Sequence, residues 1–168
     1  MAQLPFVIRP GRPDDALPIL EAHRSAVRRN AAGAYSVAII DEWAPAIIVP
    51  ERVEAFAHWI ERGEELIVVA TNPVSRIIGF GSIVPDKSEL RAVYVDPQYG
   101  RQGVGRALVG RLEELAREAG LIELRMDASI NAVPFYRANG FVALERGEHV
   151  FSSGARMACV RMRKAVSS

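Results

Sequence analysis

The fold turns on the stretch Val93-Tyr94-Val95-Asp96-Pro97-Gln98-Tyr99-Gly100-Arg101-Gln102-Gly103-Val104-Gly105-Arg106-Ala107-Leu108. It opens as a β-branched and aromatic run, turns at Asp96-Pro97, passes through a loop holding Gly100, Gly103 and Gly105, and enters an amphipathic helix. A glycine-rich turn from strand to helix exposes unpaired backbone N–H groups at the positive end of the helix dipole, which suits phosphate or pyrophosphate. Arg101 and Arg106 flank the turn with guanidinium groups able to grip such an anion. Loop glycines can also do no more than let a helix start tightly.

Two nucleotide readings of this loop fail on residues. A Walker A loop needs Lys and then Ser or Thr after its last glycine; Gly100 and Gly105 have the spacing, but Arg106-Ala107 follow. A dinucleotide fingerprint needs Gly or Ala in its third glycine slot, and counting from Gly103 that slot holds Leu108.

Outward from the loop, the pattern predicts a mixed α/β domain. Toward the C-terminus, Val104, Ala107, Leu108, Leu112, Leu115 and Ala119 stripe a helix over Gly103–Ala119 that Gly120 ends. Leu121–Met126 reads as a strand, Val133–Asn139 as a short helix, and Phe141–Leu144 and Arg156–Arg163 as closing strands. Toward the N-terminus, Leu66–Ala70, Ile77–Val84 and Glu89–Val95 form an antiparallel meander turned by Asn72-Pro73 and Pro85-Asp86. Before it come a strand over Phe6–Arg9, a helix capped near Asp14 and Asp15, a short helix over Val37–Trp43, and an amphipathic helix over Glu51–Arg62 stopped by Gly63. With no linker or repeat visible, the expectation is one domain over residues 1–168.

Composition sets the outer bounds. A 168-residue chain that is 49% hydrophobic can build its own core. Its 21 basic residues balance 20 acidic ones, so no bulk charge calls for nucleic acid or an anionic membrane. No apolar run approaches the roughly 20 residues of a membrane span, and Met1–Pro10 shows no basic segment followed by an apolar one. The lone Cys159 cannot form an internal disulfide. These points lead us to expect a cytoplasmic protein. All but Lys87 and Lys164 of the basic residues are arginines, a bias that composition explains except inside the glycine loop.

The two glycines Gly103 and Gly105, the strand end Val93-Tyr94-Val95-Asp96-Pro97, and the downstream run Asn131-Ala-Val-Pro-Phe-Tyr136-Arg-Ala-Asn-Gly-Phe141 together resemble the GNAT superfamily of acyl-CoA-dependent N-acetyltransferases. That family's loop reads Arg/Gln-x-x-Gly-x-Gly/Ala. Here Gly100 holds the leading slot, with Arg101 one place on, and Pro134 holds an alanine slot of the second motif. The resemblance covers about Ile8 to Phe141 and is specific over Glu89–Phe141.

It implies a mostly antiparallel sheet, flanked by helices and splayed where acetyl-CoA enters as co-substrate. A helical acceptor side over about residues 14–63 and a CoA-binding core over about residues 66–144 follow. It further implies pantetheine pairing with the backbone at Val93 and Val95, with Tyr94 between them. Pyrophosphate would sit on Arg101, Gln102, Gly103, Val104, Gly105 and Arg106, and Asn131 would touch CoA, although an asparagine opening a helix also fits an N-cap. Direct attack of a neutral amine needs a base and a proton donor for the leaving thiolate. Tyr136 takes the family's place for the acid, and Glu89 a place where many members carry a carboxylate base.

In the acceptor region Tyr35 and Trp43 are candidate substrate residues beside Asp41 and Glu42, where acid and aromatic groups hold cationic amines; a helix surface with one buried tryptophan would look the same. His58 and Trp59 read as packing, and His23 and His149 as exposed. No His, Cys or carboxylate spacing suggests a metal. The acceptor stays open among a small amine, an amino acid, an aminoglycoside-like compound and a peptide N-terminus. A homodimer pairing through the final strand is possible, and a non-catalytic acyl-CoA-binding sensor or scaffold is the alternative to an enzyme.

Overall fold

The computed structural model describes residues 5–167; residues 1–4 and 168, and with them the start of the segment read for a leader, lie outside the described residues. In chain order come β1 (Val7–Pro10), α1 (Ala16–Asn30), α2 (Val37–Trp43), α3 (Pro50–Arg62), β2 (Leu66–Thr71), β3 (Ile77–Val84), β4 (Glu89–Val95), α4 (Val104–Glu118), β5 (Glu123–Ser129), α5 (Val133–Ala138), β6 (Val142–Val150) and β7 (Arg156–Ala165). The strands form one sheet in the order β1-β2-β3-β4-β5-β7-β6, antiparallel everywhere except between β4 and β5.

Helices cover both faces, which is why β2 and β3 are apolar along nearly their whole length rather than alternating. On one face α4 lays its stripe, Val104, Leu108 and Leu112, against Ile78, Ile83, Leu90, Leu124 and Met126. On the other, Ala16, Ile19 and Ala22 of α1 and Ile60 of α3 cover Ile67, Val69 and Phe80. Gly63 in the left-handed region (φ 70°) ends α3 as its sequence predicts, and Pro50 at the first turn starts it one residue before the expected Glu51. Arg9 grips Asp15 through two hydrogen bonds of 2.7 and 2.9 Å, fastening β1 to the start of α1 and holding that carboxyl below its ordinary range.

The parallel contact is where the sheet opens. β4 and β5 share a single register pair, Glu89 with Arg125, beside a hydrogen bond of 2.8 Å from Arg125 N to Ser88 O. Beyond it β4 stays paired with β3 and β5 with β7, so the two strands diverge toward Val95 and Ser129. A register shift between Ser82 and Ile83 leaves Arg91 as a bulge on β4. Below it Leu90 faces α4; above it Val93 and Val95 do, while Ala92 and Tyr94 face α1 and α3.

Three expectations are corrected. β6 runs to Val150 rather than ending at Leu144; as an edge strand exposed along most of its length, it carries no clear apolar alternation. β7 cannot pair across a dimer, because β5 and β6 already occupy both of its edges. His58 is exposed, whereas His23, expected in solvent, packs edge-on against Tyr94 at a centroid distance of 4.7 Å.

Candidate active site

The divergence of β4 from β5 creates a cleft of about 960 Å³ that runs from the C-terminal end of α1, past both strands, to the glycine loop and α5. Its inner wall is a row of unpaired backbone. Asp96 donates its N–H to Ile78 O at 2.8 Å and Tyr94 stands in register with Phe80, so these even-numbered residues turn their polar backbone to β3. Strand alternation then turns the N–H and C=O groups of Val93 and Val95 toward the cleft, where β5 has moved away. An extended amide-bearing ligand would complete that edge as an added strand.

At one end lies the loop. Gly103 caps α4 in the left-handed region (φ 83°), a conformation a side chain resists. Gly105 is required by closeness, since a Cβ there would stand 2.9 Å from the Phe135 ring of α5. Among the described residues, the N–H groups of Gln102, Gly103, Val104, Gly105 and Arg106 make no hydrogen bond within the protein, leaving a nest at the positive end of a 15-residue helix. Arg101 and Arg106 are exposed and take part in none of the ion pairs among the described residues. Arg101 lines the cleft and Arg106 stands outside it. Asn131 also lines the cleft; it does not cap α5, because Ala132 takes that place, and its amide has no partner among the described residues.

Tyr136 reaches the middle of the cleft from α5. Its residue is 4% exposed, its ring is held edge-on by Phe135 and Phe141, and its hydroxyl finds no hydrogen-bond partner among the described residues. Burial pushes its pKa far up, so it keeps its proton at all ordinary pH values. Glu89 sits at the apex of the fork, half-buried, with Oε2 3.1 Å from Arg91. The bulge turns Arg91 to hold Glu89 and Glu65 together, at 3.1 and 3.4 Å.

Other sequence-derived candidates land differently. Tyr94 lines the cleft but turns its backbone to β3: its ring stacks on Phe80 and meets Trp43 and His23, and burial raises its pKa to about 12. Tyr35 is a bolt, donating to Ala158 O at 2.6 Å and accepting from Ile130 N at 2.8 Å, and it is not among the cleft-lining residues. Trp43 does line the cleft, while Asp41 is neutralised by Arg28 at 2.6 Å. Sequence reasoning missed Asp127, His149, Met157 and Cys159, which the β5 edge and the β6–β7 hairpin bring to the cleft. No local pattern marks them. The described residues hold no cluster of three metal-ligating side chains.

Comparison with known proteins fits this geometry. Residues 31–166 match the family model described as an acetyltransferase (GNAT) domain. A spermidine N(1)-acetyltransferase of Thermoplasma acidophilum is 26% identical over 133 residues, 76% of this chain and 83% of that enzyme. A glucosamine 6-phosphate N-acetyltransferase of Trypanosoma brucei brucei is 34% identical over 88 residues, and the match spans 47% of this chain and 60% of that enzyme's length. A crystal structure from Rhodopseudomonas palustris, described as a GCN5-related N-acetyltransferase, superposes with a TM-score of 0.83 at 29% identity over 98% of both chains.

Proposed function

This chain belongs to the GNAT family of acetyltransferases, enzymes that move an acetyl group from acetyl-CoA to an amine, and from that premise we propose how its own residues carry out the transfer to a primary amine. The observation that carries the reading is the fork itself: β4 and β5 share one register pair, and the unpaired edge above it leads to the unpartnered hydroxyl of Tyr136.

Acetyl-CoA, when bound, supplies the acetyl thioester and departs as the thiol. The N–H groups over residues 102–106, with Arg101 and Arg106 beside them, take the pyrophosphate, and the absent Cβ of Gly105 leaves room for α5 to close against the loop. Val93 and Val95 offer backbone groups to the pantetheine amides, fixing the thioester along β4. Asn131 adds an amide contact to the same ligand. Glu89 draws the proton from the incoming ammonium, directly or through one water, and Arg91 fixes its orientation. Tyr136 donates a hydrogen bond to the departing sulfur and then its proton. Its raised pKa keeps that proton loaded until negative charge builds on the sulfur.

The reaction is read as cytoplasmic, supported by a lone cysteine and by the absence, among the described helices, of one long and apolar enough to cross a membrane. Trp43, in the acceptor half of the cleft, is the aromatic wall nearest the amine's approach; Tyr35 supports it at a centroid distance of 5.9 Å.

A thiol-release assay with acetyl-CoA and a panel of primary amines tests the proposal. Release that needs both substrates, and that falls in Glu89→Gln and Tyr136→Phe, is the expected result. Acetyl-CoA binding without release against any amine would favour the sensor or scaffold reading instead.

A further inference from the structure

On the same face of the sheet as Glu89, but beyond Tyr94, lies a second cavity of about 460 Å³ between α1, α3 and strands β2 to β4. Of its lining residues, the reaction derived above uses Arg91 alone, to orient Glu89. Its walls are aromatic and aliphatic: Phe56 and Trp59 from α3, Phe80 and Tyr94 from the sheet, Ile19 from α1 and Ile67 from β2. The Trp59 wall is held from behind. Trp59 donates its indole N–H to Glu65 at 2.7 Å, and Glu65 is held in turn by Ser82 Oγ and by Arg91. His23 closes one side, and burial among these groups pushes its imidazole down to about 4, so it is uncharged at neutral pH. The cavity is therefore a largely apolar slot for a ring or a branched hydrocarbon, with its charged lining groups Arg52, Glu65 and Arg91 beside the aromatic walls.

Two features tie it to the reacting site. Arg91, Ala92 and Tyr94 line both the cleft and the second cavity, and Ala92 is the one small side chain among the three. Charge runs in the same direction. Glu65 lines the second cavity, Glu89 lines the cleft, and Arg91 lies between them, so this chain of three groups carries a net negative charge along the path from slot to fork. Arg52, the cation that α3 contributes to the lining, disfavours an ammonium at the helix side.

We propose that the second cavity is the specificity pocket of the acceptor: it takes the aromatic or branched apolar group of a primary amine whose nitrogen lies a short linker away, beside Glu89. The acceptor class is thus an arylalkyl or branched alkyl amine rather than a linear polyamine, whose further cations would lie among Phe56, Trp59 and Phe80 and beside Arg52 and Arg91, with Glu65 already engaged by Ser82 and Arg91. This rests on the acetyl-transfer reading above, and the experiment separates the two.

Thiol release at saturating acetyl-CoA is measured with phenethylamine, ethylamine and spermidine, for the natural chain and for Ala55→Trp. Ala55 is an exposed position on α3 at the cavity, where a large side chain fills the slot without displacing core. We expect kcat/KM for phenethylamine to exceed that for ethylamine by about tenfold or more, the discrimination that an apolar pocket supplies. Ala55→Trp, checked as folded by circular dichroism, should lower that ratio by about as much; Ala55→Phe serves if the larger variant does not fold. Equal use of ethylamine or spermidine, or a ratio unmoved by the variants, overturns the proposal. Phenethylamine is also titrated by calorimetry into the acetyl-CoA-bound protein. Binding that weakens in Ala55→Trp supports the pocket even if no amine releases thiol, an outcome in which only the acetyl-transfer reading fails. Absence of binding overturns the pocket whatever the thiol assay shows.

Discussion

Glu89 and Arg125 are the one register pair through which β4 meets β5, and every element of the cleft is placed by the divergence that begins there. The same pair joins the two halves of the sheet, so the site opens at the sheet's weakest seam. Backbone at Val93 and Val95 is left unpaired on one side although both residues lie in the part of β4, from Ala92 to Val95, that pairs with β3 without a break in register.

Those two amides should report acetyl-CoA directly. Without it, the N–H groups of Val93 and Val95 have no strand partner and exchange quickly, while the neighbouring N–H of Tyr94, turned to β3, is protected. With acetyl-CoA bound, exchange at Val93 and Val95 should slow by about tenfold or more, and Tyr94 should change little. Residue-resolved hydrogen exchange checks this, and an unchanged pattern would rule out strand-like pairing of the ligand along β4. At a hundred times its dissociation constant, acetyl-CoA should also stabilise the fold by about 2.7 kcal/mol, or roughly 5–11 °C in Tm.

Tyr136→Phe separates chemistry from binding. The hydroxyl has no partner within the described residues, so its removal leaves nothing unpaired and should cost little stability. Its loss should lower kcat about a hundredfold or more while acetyl-CoA affinity stays within about twofold. The pH profile adds a sign. Because burial raises the Tyr136 pKa, the group stays protonated well past its ordinary value, and kcat should not fall on its account between about pH 8 and 10. An alkaline limb near pH 9 that disappears in the phenylalanine variant would show that Tyr136 titrates low, contrary to its buried setting.

How much of this was legible depended on how local each signal is. The loop and α4 read directly, since Gly103, Gly105 and the stripe from Val104 to Leu115 declare themselves within a few turns of chain. The role of Tyr35 did not, because its two hydrogen-bond partners lie 123 and 95 residues away. His23 reads as exposed and His58 as packing, and the structure reverses them, because which faces of α1 and α3 meet the sheet is a tertiary fact: His23 of α1 packs on Tyr94, and His58 of α3 stands beside Glu61 in solvent. Glu89 was found as a residue, but its place at the fork depends on a single cross-strand pair that no pattern within β4 encodes.

Tyr35→Phe should act on stability rather than on acetyl-CoA. It leaves Ile130 N–H and Ala158 C=O without their partner, and those groups are near enough to solvent for water to recover part of the loss. A decrease of roughly 1–2 kcal/mol in unfolding free energy is expected, measured by urea denaturation, with acetyl-CoA affinity unchanged. A weakened affinity at unaltered stability would return Tyr35 to the binding site.

His23 carries the clearest pH dependence of the fold. Its imidazole ordinarily titrates at 6.5, and in the folded chain burial, reinforced by Arg52 of α3, lowers that to about 4. Between those two values the unfolded chain binds a proton that the folded chain does not, so stability rises with pH across the interval and is lost as pH falls from 6.5 toward 4. A shift of this size corresponds to roughly 3 kcal/mol at the lower end of the window. Asp15 acts in a different range: its lowered pKa contributes stability above 3.8 that disappears only below it. Tyr94, which meets His23 edge-on, stays neutral throughout and adds no slope. Urea denaturation of the natural chain and of His23→Leu, at about pH 7 and about pH 5, isolates the contribution. The natural chain should lose stability between the two, and the variant should lose less by about 2 kcal/mol, since most of the interval has been crossed by then. Identical losses in both chains would mean that His23 is protonated in the folded state, and a charged imidazole there would place a cation against the apolar slot it helps to enclose.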